Sequence, residues 1–267
     1  MTDYAIGAID GDLAALSKLL SQIEFDREQD RLWFSGNLVN GGPDSLAVLR
    51  FARELGRRAV VVLGLQELRL LAIAEGVEQQ RQNDKFTEVL SAEDRDVLLK
   101  WLYQRPLLHH EAGYTLIHAG IPAEWTLSQA RTFAIEAESS LAMGNHMTFF
   151  ENLAGTSPTR WHAKLRGWKR LRFIVNALTR LSYCDDSGRY DFTIEDPGID
   201  PGENFLPWSR QSGRAMAGQN IVCANVLGAA SDDVQGIFPL KCDVSANGSL
   251  CALRISDRPK IIRISRG

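Results

Sequence analysis

Apolar residues near the N-terminus come in short dense runs, each closed by a glycine and followed by helical spacing. YAIGAI at 4–9 predicts a buried strand, with Gly11 in the turn DGD behind it. LAALSKLLSQI then repeats apolar positions every three to four residues, as a helix does. RLWFS at 31–35 predicts a second strand running into the loop GNLVNGGP at 36–43. Pro43 and Asp44 lead into the helix SLAVLRFARELG, with Gly56 as its stop. RRAVVVLG predicts a third strand, which breaks at Gly64 into the helical QELRLLAIAEG. This strand–loop–helix rhythm predicts an α/β fold with a partly parallel sheet, and sites at the carboxyl ends of its strands.

From about residue 76 the pattern changes. Polar, helix-forming sequence continues to Pro106, a strand-like YTLIHAGI occupies 114–121, and helical spacing resumes to about 181. DPGIDPGENFLPW is rich in proline and glycine and reads as a long surface loop. Strand patterns return in QNIVCANV, GIFPLKCDV, SLCALRI and KIIRIS. The simplest organisation is one domain over 1–267. Its core comes from about 1–75 and 212–267, with a mostly helical insertion over about 76–211 that a core strand near 114–121 interrupts.

Composition narrows the function classes. With 267 residues, 45% of them hydrophobic, the chain can bury a substantial core. A net charge of −3 and a pI near 6.0 give no sign of nucleic-acid or membrane-surface binding. The start MTDYAIGAIDGD lacks a basic region and a long apolar stretch, and no run of about 18 apolar residues occurs, so a cytoplasmic location is expected. Cys184, Cys223, Cys242 and Cys251 show no CxxC spacing and are expected to be reduced, buried thiols.

Loops that follow predicted strands carry the candidate chemistry: GAIDG (7–11), GNLVNGGP (36–43), GLQE (64–67), HAG (118–120) and ANVLG (224–228). Their order and spacing resemble the calcineurin-like metallophosphoesterases, whose pattern runs GDxHG, GDxxxRG, GNH[DE], HAG or HGG, then GH. The chain is most similar to the branch of bacterial symmetrical diadenosine tetraphosphate hydrolases. GPDSLAVLRFARELG, LLKWLYQRPLL, HAGIPAEW and LRGWKRLRFIVNALTRLSYC also look like that branch. The resemblance implies an α/β sandwich of mixed sheets flanked by helices. It also implies two divalent metals that clamp a phosphoryl group and generate the hydroxide nucleophile.

Carried over residue by residue, that implied site is largely missing. Ala8 stands at the first Asp position and Asp10 at the following His. Asn37 replaces the carboxylate that bridges the metals, and Gly41 the arginine that grips phosphate. Leu65 and Gln66 replace the asparagine and the general-acid histidine of GNH[DE], while Glu67 keeps the acidic position. His118 is retained, and Asn225 replaces the last histidine. Losing the general acid alone costs about 10²–10⁴ in rate. No cofactor is therefore expected, with a single weak divalent cation on Asp10, Asp12, Asn37 and Asn225 as the exception. The other reading of Asp10 and Asp12 is as caps of the turn and helix.

Other features are weighed against plain structural roles. Gly144-Asn145-His146 spells part of the motif but follows helical sequence, and His109-His110 reads as surface loop. Arg166, Arg170, Arg172, Asn176 and Arg180 on the basic stretch are candidate ligand contacts, or one face of a helix whose other side is buried. Lys241 is a cation near the altered loops. Two functions follow: a catalytically inactive homologue that binds a protein partner, favoured over a nucleotide such as a dinucleoside polyphosphate, or an active hydrolase with a rebuilt site on Asp10, Glu67, His118 and Asp243.

Overall fold

The computed structural model describes residues 1–194, 202–224, 234–240 and 248–266. In chain order its elements are β1 (Asp3–Ile6), α1 (Leu13–Gln22), β2 (Arg31–Phe34), α2 (Ser45–Glu54), β3 (Ala59–Val61), α3 (Leu65–Ala74), α4 (Thr87–Leu90) and α5 (Arg95–Tyr103). There follow β4 (Leu108–Glu111), β5 (Tyr114–Ile117), α6 (Leu127–Ala142), α7 (His146–Leu153) and α8 (Gly167–Arg180). The rest are strands: β6 (Tyr183–Asp185), β7 (Tyr190–Asp191), β8 (Phe205–Pro207), β9 (Asn220–Cys223), β10 (Ile237–Pro239), β11 (Ser249–Ile255) and β12 (Lys260–Ser265).

The chain divides into two compact units, residues 1–105 with 240–267, and residues 106–239. In the first, the sheet order is β12-β11-β1-β2-β3. β1, β2 and β3 run parallel, and β11 and β12 are antiparallel to their neighbours. Ala5, Ile6, Leu32, Trp33 and Phe34 are fully buried, which is why these strands read as unbroken apolar runs rather than alternating ones. α1 packs on β11 and β12, and α2 on β3.

Residues 76–105 lie in the first unit. Phe86, Val89, Leu98 and Leu102 of this stretch are buried and α4 and α5 pack on α2, while Arg69 binds Glu78 and Asp84 and Arg50 binds Asp94 in two-pronged fashion. The second unit holds the sheet β10-β9-β5-β4 and a small antiparallel sheet β7-β6-β8. β8 and the helical turn Trp208–Arg210 fall where sequence predicted loop. α6, α7 and α8 pack together over Trp125, Phe149 and Phe173.

Cys184 and Cys223 are free and buried, whereas Cys251 is in a disulfide, so the expectation of four reduced thiols fails there. Among the described residues no helix is long and apolar enough to cross a membrane.

Candidate active site

In the first unit the loops after β1 and β2 are knitted to one another by backbone. Asp10 N–H donates to Asn37 O (2.8 Å), Gly11 N–H to Leu38 O (2.9 Å), and Gly42 N–H to Asp10 O (2.6 Å). Asp10, Asn37, Asn40 and Gly41 all have positive φ, so each loop is tightly coiled. At Gly41 (φ +74°) an added Cβ would lie 3.2 Å from Asp10 Cβ and 3.2 Å from Asp10 O. In this loop conformation the position disfavours any side chain, the arginine of GDxxxRG included.

Glu67 closes the structure from below. It is fully buried, and its carboxylate accepts N–H bonds from Asn37 (2.8 Å), Leu38 (2.6 Å), Val39 (3.4 Å) and Gly64 (2.8 Å). Burial pushes its carboxyl upward, against the pull of the Gly64, Asn37 and Leu38 N–H groups. Its oxygens are thus committed to the loops.

Gln66 belongs to a second, polar network. Its N–H donates to Asn37 Oδ1 (3.1 Å), and its Oε1 accepts from Asn40 Nδ2 (2.9 Å) and Arg69 Nη1 (3.3 Å). Arg69, 3% exposed, forks onto Asp84 at 2.9 and 2.8 Å and reaches Glu78 at 2.9 Å. Asn40 bonds Asp84 Oδ1 (3.0 Å) and accepts from Lys85 N–H (2.9 Å). Burial alone would raise the Asp84 carboxyl, but hydrogen bonds from Arg69, Arg81 N–H and Asn40 outweigh it and hold it at about 2.

The first loop faces a fixed cation. Arg266, just past β12, donates to the carbonyls of Ala8 and Ile9, and lies 3.6 Å from Asp10 Oδ2 and 4.0 Å from Asp12 Oδ2. Asp12 also caps α1, accepting from Ala15 N–H at 2.8 Å. Sequence reasoning found neither Arg266 nor Asp84. Arg69 left one sign, a charge set between Leu68 and Leu70 in an apolar helix.

In the second unit His118 is buried at the end of β5, and its carbonyl accepts from Ala224 N–H at 3.0 Å. Ala119 and Gly120 donate to Leu178 and Ala177 at the end of α8, at 2.9 and 3.3 Å. Asn225, Lys241 and Asp243 lie outside the described residues.

The candidate ligand contacts on and before α8 already hold protein groups. Arg170 pairs with Glu136 (2.8 Å) and sits over Phe133 and Trp161, at 4.6 and 5.0 Å from their ring centres. Arg172 binds the carbonyls of Asn152 and Ser157, and Asn176 that of Gly155. Arg166 binds the carbonyls of Ala163 and Leu165 in its own turn, and half-buried Arg180 ends the helix. Asn145 of the motif-like GNH caps α7. His109 and His110 lie on β4 rather than in a loop, because they pair in register with Leu116 and Thr115 of β5.

These residues do not fit a pair of divalent cations. Ala8 and Leu65 offer no donor atom, Asn37 Oδ1 already accepts an N–H, and both Glu67 oxygens are engaged. Among the described residues no three of His, Cys, Asp and Glu are grouped to hold a metal.

Comparison with known proteins agrees with the architecture. No family model matches the chain. The symmetrical bis(5'-nucleosyl)-tetraphosphatase of Methylococcus capsulatus is 48% identical over 223 residues, covering 83% of this chain and 80% of that protein. Its counterpart in Aromatoleum aromaticum is 39% identical over 268 residues, covering 100% and 98%. A crystal structure of a proposed diadenosine tetraphosphatase superposes with a TM-score of 0.62 at 19% identity, covering 99% of this chain and 93% of that one. A serine/threonine phosphatase of Saccharomyces cerevisiae gives a TM-score of 0.52 at 12% identity, covering 98% and 79%.

Proposed function

Because the chain belongs to the symmetrical bis(5'-nucleosyl)-tetraphosphatase family and has the calcineurin-like fold, we propose that it is a member that binds without hydrolysing. The observation that carries this is Asn37 together with Gln66. The first cannot serve as a bridging carboxylate, and the second cannot exchange a proton near neutral pH, and both are tied into a hydrogen-bonded network. Its binding needs no metal cofactor. A protein is the first partner to test, because Asn37 and Gly41 leave the second loop without a carboxylate or a guanidinium. A nucleotide is the second.

The relatives' name supports the other reading, an active hydrolase with a rebuilt site. That site would have to draw on Asp10, Glu67, His118 and Asp243, and Glu67 would first have to release the loops it holds. The test is hydrolysis of diadenosine tetraphosphate by the full chain with added manganese, alongside elemental analysis. Products at the level of a protein-free control are expected. Robust turnover that disappears in His118→Ala would establish the hydrolase instead.

A further inference from the structure

Four oxygens of the first loop surround one guanidinium, that of Arg266. Its Nη1 donates to Ile9 O (2.9 Å) and lies 4.0 Å from Asp12 Oδ2. Its Nη2 donates to Ala8 O and lies 3.6 Å from Asp10 Oδ2. Each end of the fork thus meets one carbonyl and one carboxylate. An ordinary surface pair is far looser: Arg27 and Glu54 approach to 3.9 Å through a single contact, with both side chains more than half exposed.

Both partners are held in place by other parts of the fold. Arg266 N–H donates to Gly248 O (3.2 Å), and Lys18 Nζ of α1 donates to Ser265 O (3.2 Å), which fixes the chain just past β12. β12 pairs with β11 and β11 with β1, so the sheet carries Arg266 to the loop that leaves β1. On the loop side, Asp12 commits Oδ1 to Ala15 N–H in capping α1 and turns Oδ2 to Arg266. Asp10 has φ +53°, a left-handed backbone that residues other than glycine seldom adopt, and its N–H and carbonyl are tied to Asn37 and Gly42.

Two carbonyls and two carboxylates are donors of the class that hard divalent cations take. The Asp10 side chain is 38% exposed, so ions in solvent can reach this set. The group that stands among the four oxygens is nevertheless a side chain of the protein itself.

We propose that Arg266 is the resident cation of the first loop. It neutralises Asp10 and Asp12, holds residues 8–12 in their observed conformation, and closes the four oxygens to a divalent ion. Arg266 is a positioning residue, and a cation built into the chain keeps the loop balanced whatever the supply of metal. This role rests on the metal-free binding proposed above, and the two fail separately: the hydrolysis assay decides that reading, and a melting series decides this one.

Thermal unfolding of the full chain, freed of metal by EDTA and dialysis, is followed with calcium, magnesium or manganese chloride, and with sodium chloride at equal ionic strength. Wild type is expected to melt at one temperature in all four salts. Arg266→Met should melt about 2–4 °C lower in sodium chloride and regain about half of that loss or more with a divalent salt. Arg266→Lys should lie between the two, since it keeps the charge without the fork. Arg263→Met removes an exposed charge from β12 and should behave as wild type. Adding Asp10→Asn to Arg266→Met should abolish the regain, a response that an arginine with a merely structural role would not produce. Should Arg266→Met be unfolded by circular dichroism, Arg266→Gln takes its place with the same expected direction. The proposal is overturned if the Arg266 variant melts as wild type does, gains no more from divalent ions than wild type, is matched by Arg263→Met, or keeps its regain after Asp10→Asn.

Discussion

Glu67 holds three loop residues and the start of a helix with two oxygen atoms, so its contribution is mechanical rather than chemical. Replacing one oxygen by an amide would set an NH₂ against N–H donors in a fully buried site. Glu67→Gln is expected to lose about 2–4 kcal/mol in urea unfolding. Gly41→Arg tests the neighbouring loop. The left-handed backbone and the close approach of Asp10 predict a loss of about 1–3 kcal/mol, with no gain of hydrolysis toward diadenosine tetraphosphate. The changed identities at Ala8, Asn37 and Gln66 were legible in the sequence, because each falls at a fixed place in a strand–loop pattern. Their new partners were not. Asp84 and Arg266 reach the loops from far along the chain, and no local periodicity encodes such a meeting.

At the scale of elements, α8 shows how a basic stretch can be occupied by its own fold. Arg170 lies between Phe133 and Trp161 while pairing with Glu136, which joins α8 to α6. Arg170→Met is expected to cost about 1–3 kcal/mol by chemical denaturation, mostly through the lost stacking of the cation on the rings. The strands β1, β2, β3 and β5 were readable because each is an apolar run with a turn signal after it. The sheet β7-β6-β8 was not, since its strands have two or three residues and β8 lies in a proline-rich stretch. The stretch 76–105 joins the first unit through buried Phe86, Leu98 and Leu102 as well as through the ion pairs of Arg50 and Arg69.

For the whole molecule, the donor set predicts stability that does not depend on metal. A divalent ion at one hundred times its dissociation constant would add about 2.7 kcal/mol, enough to raise Tm by several degrees. Neither EDTA nor manganese is expected to move the melting temperature. Acid is expected to act through Asp84. Its folded pKa of about 2 lies below its ordinary 3.8, so its contribution is complete above pH 4 and is lost as the pH falls toward 2. Asp84→Asn should be less stable at neutral pH, and its stability should fall less steeply with pH over that window, as measured by urea unfolding at each pH.

The network around Gln66 also bears on how such a protein can change. Putting histidine at 66 removes the acceptor that Asn40 and Arg69 share, and putting asparagine at 65 places an amide where a buried leucine sits. Each step toward the GNH[DE] residues would therefore pass through a weaker protein. The present residues act as a ratchet. Selection for a well-folded chain is enough to keep them, and stepwise introduction of the GNH[DE] residues would have to climb before it could descend.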